Sequence, residues 1–248
     1  DIIDDSVQDD VAEEVVVDES PVHLFFTRDG YFKKITPLSL RMSGEQKLKE
    51  GDELITEVEA TNADDLLFFT NKCQVYKAKT ADFADGKASL LGDYIPAKLG
   101  MEDGETTIAM VHTRDYKGTL LFVFENGRVS KVDLSAYATK TNRKKLIAAF
   151  SDKFTLHSII ALKEDAEVLL TSTNGRMLLL HSGALVTKTT RNNNGVAVMT
   201  QKKGQRIFAT EIYVDGRLKK PHRYRTKTLP AAGSLPSAEE QAEQISLI

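Results

Sequence analysis

A short pattern recurs five times along the chain and constrains the fold more than any other feature. It runs Phe25-Phe26-Thr27-Arg28-Asp29-Gly30-Tyr31-Phe32-Lys33-Lys34, then Phe68-Phe69-Thr70-Asn71-Lys72-Cys73-Gln74-Val75-Tyr76-Lys77, then Val123-Phe124-Glu125-Asn126-Gly127-Arg128-Val129-Ser130-Lys131. The last two copies are Leu170-Thr171-Ser172-Thr173-Asn174-Gly175-Arg176-Met177-Leu178 and Ile212-Tyr213-Val214-Asp215-Gly216-Arg217-Leu218-Lys219-Lys220. Each reads as an apolar strand, a tight turn and a second strand. Asp-Gly or Asn-Gly at the turn fits a type I′ hairpin, whose two central residues both need positive φ. The second copy has Lys72-Cys73 there instead, so a different turn is expected, with Asn71 left-handed.

The turn positions Gly30, Cys73, Gly127, Gly175 and Gly216 are spaced 43, 54, 48 and 41 residues apart. Gly51, Gly104 and Gly204 each lead into a further apolar stretch, so one repeat supplies about four strands. Four strands every ~40–50 residues describe a propeller blade. The runs Leu66-Leu67-Phe68-Phe69 and Leu120-Leu121-Phe122 lack polar alternation, as expected of a sheet covered on both faces. A two-sheet sandwich would alternate more cleanly. The expectation is an all-β, propeller-like fold of about five four-stranded blades. It occupies residues 20–230, between an acidic flexible segment at 1–19 and a flexible acidic tail at 231–248. Val15-Val16-Val17 could add a strand to the first blade, and 238–247 reads as linker rather than helix.

Charge is divided along the chain. Twelve of the 36 acidic residues lie in 1–20 and 231–248, whereas all 33 basic residues lie in 21–230. A basic body with acidic ends points to a polyanionic partner. The basic residues follow the turns, at Lys33, Lys34, Lys77, Lys79, Arg128, Lys131, Arg176, Lys219 and Lys220, or lie between blades, at Arg41, Lys47, Lys140, Arg143, Lys144, Lys145, Lys188, Arg191, Lys202 and Lys203. Recurrence at one place in each repeat would set them along one rim as a curved track for phosphates. Neither a helix-turn-helix nor aromatic-basic interleaving is visible, which favours duplex DNA gripped by its backbone.

Catalytic patterns are absent. The five histidines form no H-x-H or H-E-x-x-H spacing, and no phosphate-binding glycine loop or G-x-S-x-G occurs. Asp82, Asp85 and Gly86 lack calcium-loop spacing and read as turns. Cys73, the single cysteine, has no histidine nearby in sequence and fits a turn or core position in a reducing, cytoplasmic setting. No apolar run approaches the ~18–20 residues of a membrane span. The chain starts at Asp1 rather than Met, which fits a piece of a longer protein. No catalytic residue, metal or cofactor is expected.

These residues resemble a known family. Asp65-Leu66-Leu67-Phe68-Phe69-Thr70-Asn71-Lys72 and Gly30-Tyr31-Phe32-Lys33-Lys34-Ile35-Thr36-Pro37-Leu38 are similar to repeats in the C-terminal domain of the A subunit of bacterial type IIA topoisomerases, gyrase and topoisomerase IV. The resemblance covers roughly 21–230. It implies a β-pinwheel, a propeller whose blades exchange strands, with a basic outer rim that bends or wraps duplex DNA. It further implies a non-catalytic domain whose partners are the rest of the A subunit, with its cleavage core, and the ATPase B subunit. Leu40-Arg41-Met42-Ser43-Gly44-Glu45-Gln46-Lys47 stands where gyrases carry a Gln-Arg-Arg-Gly-Gly-Lys-Gly box, and it lacks that box. The departure points toward topoisomerase IV or an atypical gyrase. The competing reading is a protein-interaction propeller scaffold, which would need an exposed apolar face.

Overall fold

A computed structural model describes residues 18–140 and 143–241. The expectations for 1–17, including the Val15–Val17 strand, lie outside the described residues. The first hairpin pairs β1 (Pro21–Thr27) with β2 (Tyr31–Ile35), and β3 (Leu54–Thr61) lies on the other side of β1. The second repeat gives β4 (Asp65–Thr70) and β5 (Val75–Lys79), then β6 (Asp93–Tyr94) and β7 (Thr107–Thr113). The third gives β8 (Thr119–Phe124), β9 (Arg128–Asp133), β10 (Lys145–Leu146) and β11 (Leu156–Leu162). The fourth gives β12 (Glu167–Ser172), β13 (Met177–His181), β14 (Val196–Ala197) and β15 (Ile207–Ile212).

The four hairpins share one turn, and it is not type I′. In each, the fourth turn residue donates its N–H to the carbonyl of the first: Gly30 to Thr27, Cys73 to Thr70, Gly127 to Phe124 and Gly175 to Ser172. Positive φ falls on that donor alone (Gly30 +95°, Cys73 +54°, Gly127 +85°, Gly175 +83°), and Asp29, Asn71, Asn126 and Asn174 stay at negative φ. This is a type I turn closed by a left-handed bulge residue. Asn71 acts instead through its side chain, which accepts from Thr106 N at 2.8 Å and donates to Gly104 O at 3.0 Å.

The sheets are built by exchange. Their strand orders are β3-β1-β2-β6, β10-β5-β4-β7, β11-β8-β9-β14 and β13-β12-β15. The outermost strand of each of the first three sheets therefore comes from the following repeat. Two of these strands enter through a glycine pressed on the partner backbone. A Cβ on Gly92 would stand 2.3 Å from Phe32 O, and one on Gly195 2.2 Å from Val129 O, and both residues have positive φ. The fourth sheet has no following repeat. The chain's own end takes the vacant position: Met177 and Ser234 exchange backbone hydrogen bonds at 2.8 and 2.9 Å, and Arg225 bridges to Leu179.

Two expectations are thereby corrected. There are four blades rather than five, and the fourth has three regular strands. In the fifth copy the turn bond runs from Arg217 N to Val214 O, one residue out of phase with the other four, and no second strand follows. Pro221, which has no N–H to give a ladder, opens a 3-10 turn there. The domain also does not end at 230. Residues 231–241, expected to be a flexible tail, pack on the fourth blade: Ser237 and Glu240 are buried, and 238–241 are helical.

The faces of the blades form the core. Alternate residues of β4 point opposite ways, Leu66 and Phe68 to the first blade and Leu67 and Phe69 to the third. In β8, Leu120, Phe122 and Phe124 face the second blade, and Leu121 and Val123 face the fourth. Burial on both sides accounts for the unbroken apolar runs. Each fully buried Leu or Phe contributes roughly 1.5–3 kcal/mol. Among the described residues, no apolar cluster joins the first blade to the fourth. Their free faces are capped separately. Leu40 of the helix α1 (Pro37–Met42) packs on Phe25 and Ile35. Leu218 and Tyr224, from the segment expected to be a fifth blade, pack on Leu169 and Leu179.

A buried or half-buried lysine ties each of the first three blades to the next. It stands four residues beyond the turn residue. Lys34 of the first blade donates to Thr80 O at 3.2 Å in the second and to Asn62 Oδ1 at 2.9 Å in the link between β3 and β4. Lys77 reaches Thr139 Oγ1 at 2.9 Å beyond the third hairpin. Lys131 donates to Asp165 Oδ1 at 2.8 Å and Ser182 O at 3.0 Å in the fourth. The equivalent residue of the last blade is Leu179, which faces the cap instead.

Two consequences can be measured by denaturant unfolding. Lys131→Ala leaves the buried carbonyls of Ser182 and Leu185 without their donor and should cost about 1–3 kcal/mol, whereas exposed Lys144→Ala should stay within ~0.5 kcal/mol. Gly216 has positive φ but open space around it, so Gly216→Ala should cost about 1 kcal/mol. Gly195→Ala adds a backbone collision and should cost clearly more. Equal losses at 195 and 216 would contradict the exchanged-strand account.

Candidate nucleic-acid interface

The inner strands β3, β7, β11 and β15 line a central channel of about 1100 Å³, so the exchanged strands lie at the opposite, outer edge of each sheet. The channel walls mix both signs, with Glu59 and Glu211 beside Arg114, Lys117 and Lys163. His112 Nδ1 lies 2.9 Å from Asp64 Oδ2 there. No group of three His, Cys, Asp or Glu side chains able to hold a metal converges among the described residues. Cys73 is half-buried, and burial pushes its thiol above the usual range, away from a nucleophile's requirement.

The predicted basic residues separate into three groups by what their charge touches. The first is internal. Lys33, Lys34 and Lys131 are buried, and Lys77 is half-buried with its ammonium 5.0 Å over the Tyr116 ring. Lys33 donates to Leu90 O at 2.8 Å and Ala88 O at 3.2 Å, and burial pulls its pKa down. These side chains are held by internal oxygen acceptors and are not on a rim. Sequence reasoning misplaced them because a lysine after a turn looks the same whether it points outward or across to the next blade.

The second group braces the exchanged strands. Arg128 donates to Asn194 O at 3.0 Å and Gly195 O at 2.7 Å, and Arg176 donates to Gly233 O at 3.0 Å. Tyr31 holds the same position in the first blade and packs edge-on against Tyr94. Arg191 donates to Ala136 O at 2.9 Å, which ties the segment before β14 to the third blade. Lys145, in β10, is half-exposed, 3.6 Å from Glu102.

The third group is exposed: Arg41, Lys47, Lys79, Lys140, Arg143, Lys144, Lys188, Lys202 and Lys203. Apart from Lys79, these lie on the segments that leave the second strand of a hairpin and run to the next inner strand. Those segments differ sharply in charge. Residues 134–155, which supply the outer edge of the second blade, hold five basic residues and one acidic. Residues 182–206, which supply the outer edge of the third blade, hold five basic residues and no acidic one. Around the first blade, 36–53 and 80–106 together hold five basic residues and ten acidic ones. The rim is therefore not uniformly positive, and Arg41 and Lys47 share their stretch with Glu45 and Glu50. Of the cations in 214–235, Lys219 and Lys220 were expected beyond a fifth hairpin turn, whereas Arg217, Arg223, Arg225 and Lys227 were not singled out by sequence reasoning. Of these, Arg217 pairs with Glu211 at 2.8 Å, Lys220 with Glu239 at 3.4 Å and Arg225 with Glu167 at 2.8 Å.

Acidic groups near the first two hairpins also serve the fold. Glu105 is buried and accepts from Tyr76 Oη at 2.6 Å and Thr70 Oγ1 at 2.7 Å. Burial alone would raise its pKa, but these donors outweigh it and hold the carboxyl below its ordinary value. Glu102 meets Lys72 at 3.4 Å as well as Lys145.

No protein-family model matches the chain. In sequence it is similar to the A subunit of DNA topoisomerase 4 from Staphylococcus aureus strain MSSA476, 27% identical over 206 residues, which is 81% of this chain and 26% of that protein. Its counterpart in strain MRSA252 matches to the same extent. The chain thus spans about a quarter of the length of the curated relatives it matches. In fold it is similar to a C-terminal domain of DNA topoisomerase IV, with a TM-score of 0.72 and 22% identity over 88% of this chain and 73% of that one. It also matches the Escherichia coli ParC C-terminal domain (TM-score 0.63, 14% identity, 90% and 96% covered) and a DNA gyrase A C-terminal domain (TM-score 0.59, 16% identity, 86% and 76% covered). The chain is thus similar in sequence to the A subunit of DNA topoisomerase 4 and shares its fold with the C-terminal domains of DNA topoisomerase IV and DNA gyrase A.

Proposed function

We propose that this chain is a non-catalytic, duplex-DNA-binding domain from the A subunit of a cytoplasmic type IIA topoisomerase. It bends DNA on its outer edge and presents it to a cleavage core elsewhere in the full protein, which works with an ATPase B subunit. The observation that carries the reading is a cluster of exposed cations that have no side-chain ion pair among the described residues and sit about the exchanged strands of the second and third blades: Lys140, Arg143, Lys144, Lys188, Lys202 and Lys203. A solvated charge that already has a carboxylate partner offers little to a phosphate, but an unpaired one can displace a condensed counterion. All six flank the exchanged strands β10 and β14, so strand exchange itself delivers them to the edge. The similarity to DNA topoisomerase IV and gyrase supplies duplex DNA as the matching polyanion.

The rival reading, a protein-interaction scaffold, would use an open apolar face. The two faces that the ends of the pinwheel leave free are covered by Leu40 and by Leu218 with Tyr224.

Bending 20–30 base pairs by 40–90° costs on the order of 1–6 kcal/mol, which the phosphate contacts must offset. Six contacts should give a slope of log K against log salt of about −5. Fluorescence anisotropy with a labelled duplex between 50 and 200 mM salt measures it. A slope near zero would contradict the reading. Ring closure of short duplexes should speed up with added domain, and an unchanged closure rate would rule out the bending step.

A further inference from the structure

We infer that the duplex track is confined to the outer edges of the second and third blades, and that the first blade's edge stands off DNA. This rests on the DNA-binding reading above and specifies where on the molecule it applies. Three observations carry it.

The first is the charge of the segments. The second and third edges together hold ten basic residues and one acidic, whereas those around the first blade hold five basic and ten acidic. The second is pairing, which sets these two edges apart from the fourth. Arg143, Lys144, Lys188, Lys202 and Lys203 are exposed and have no ion pair among the described residues. On the fourth edge, Arg217, Lys220 and Arg225 are held by Glu211, Glu239 and Glu167, and Arg223 donates to Leu235 O at 2.8 Å. The third is range. At physiological ionic strength the screening length is about 8 Å. Exposed carboxylates such as Asp82 and Asp85 therefore act close to where they sit, beside β2 of the first blade. A phosphate approaching the first edge meets like charge, and one approaching the second or third meets cations whose counterions it can release.

The mechanical consequence is a bend over two adjacent edges and not a wrap around the whole pinwheel. That separates this domain from one whose first blade anchors the DNA.

The test uses the full 248-residue chain and three double variants at exposed positions: Arg143→Glu with Lys144→Glu on the second edge, Lys202→Glu with Lys203→Glu on the third, and Lys49→Glu with Lys87→Glu beside the first. Unaltered melting temperatures establish that each variant keeps its fold. Each of the first two pairs should weaken duplex binding at least tenfold at 100 mM salt and flatten the salt slope by about 2. The third pair should change affinity less than twofold. A loss at Lys49 and Lys87 equal to that at the other pairs, with the unaltered chain binding normally, overturns the confined track and leaves the DNA reading standing. Failure of the unaltered chain to bind duplex at 50 mM salt overturns the DNA reading itself, and the track with it.

Discussion

Each blade is incomplete without the next, and the rest of the structure depends on that dependence. Three linkages enforce it. Apolar faces such as Phe68 against Phe32 and Phe69 against Phe122 close the space between sheets. Exchanged strands complete each outer edge. The lysine four residues beyond the turn crosses to oxygen acceptors of the following repeat. The array must end somewhere, and its ends follow the same physics. The last blade replaces the crossing lysine by Leu179, covers it with Leu218 and Tyr224, and receives residues 233–234 in place of a neighbour's strand.

The same exchange explains how a chain of net charge −3 presents positive edges. A strand that crosses to its neighbour needs a connecting segment on either side, and those segments lie on the surface by necessity. In the third and fourth repeats they carry the unpaired lysines and arginines. In the second repeat the corresponding segment is acidic, and much of that acid holds the fold together. Glu105 accepts from Tyr76 and Thr70, and Glu102 meets Lys72 and Lys145. Function and fold thus draw on the same segments, with the division set blade by blade.

Much of the fold was legible in the sequence. Four of the five repeated hairpins exist at the expected places, the two-sided burial of Leu66–Phe69 follows from its lack of alternation, and the glycines before β3, β7 and β15 do open the inner strands. What the sequence hid is which way a residue points and what completes an edge. Asp-Gly signals a tight turn, but type I with a bulge and type I′ use the same two residues. Lys131 and Lys144 are both lysines of basic stretches, yet one is enclosed by Asp165, Ser182 and Leu185 and the other is in solvent. The fifth repeat matched in composition but not in phase, and only the pairing of the tail with Met177 shows that a cap had replaced a blade.

The central claim is that phosphates meet the outer edge through lysines that the fold leaves unpaired. Lysine-reactivity footprinting of the free and duplex-bound chain addresses it at single residues. Bound duplex should protect Lys144, Lys188, Lys202 and Lys203, while Lys117 and Lys163 at the central channel keep their reactivity. Protection of Lys117 and Lys163, with the edge lysines unchanged, would contradict the account.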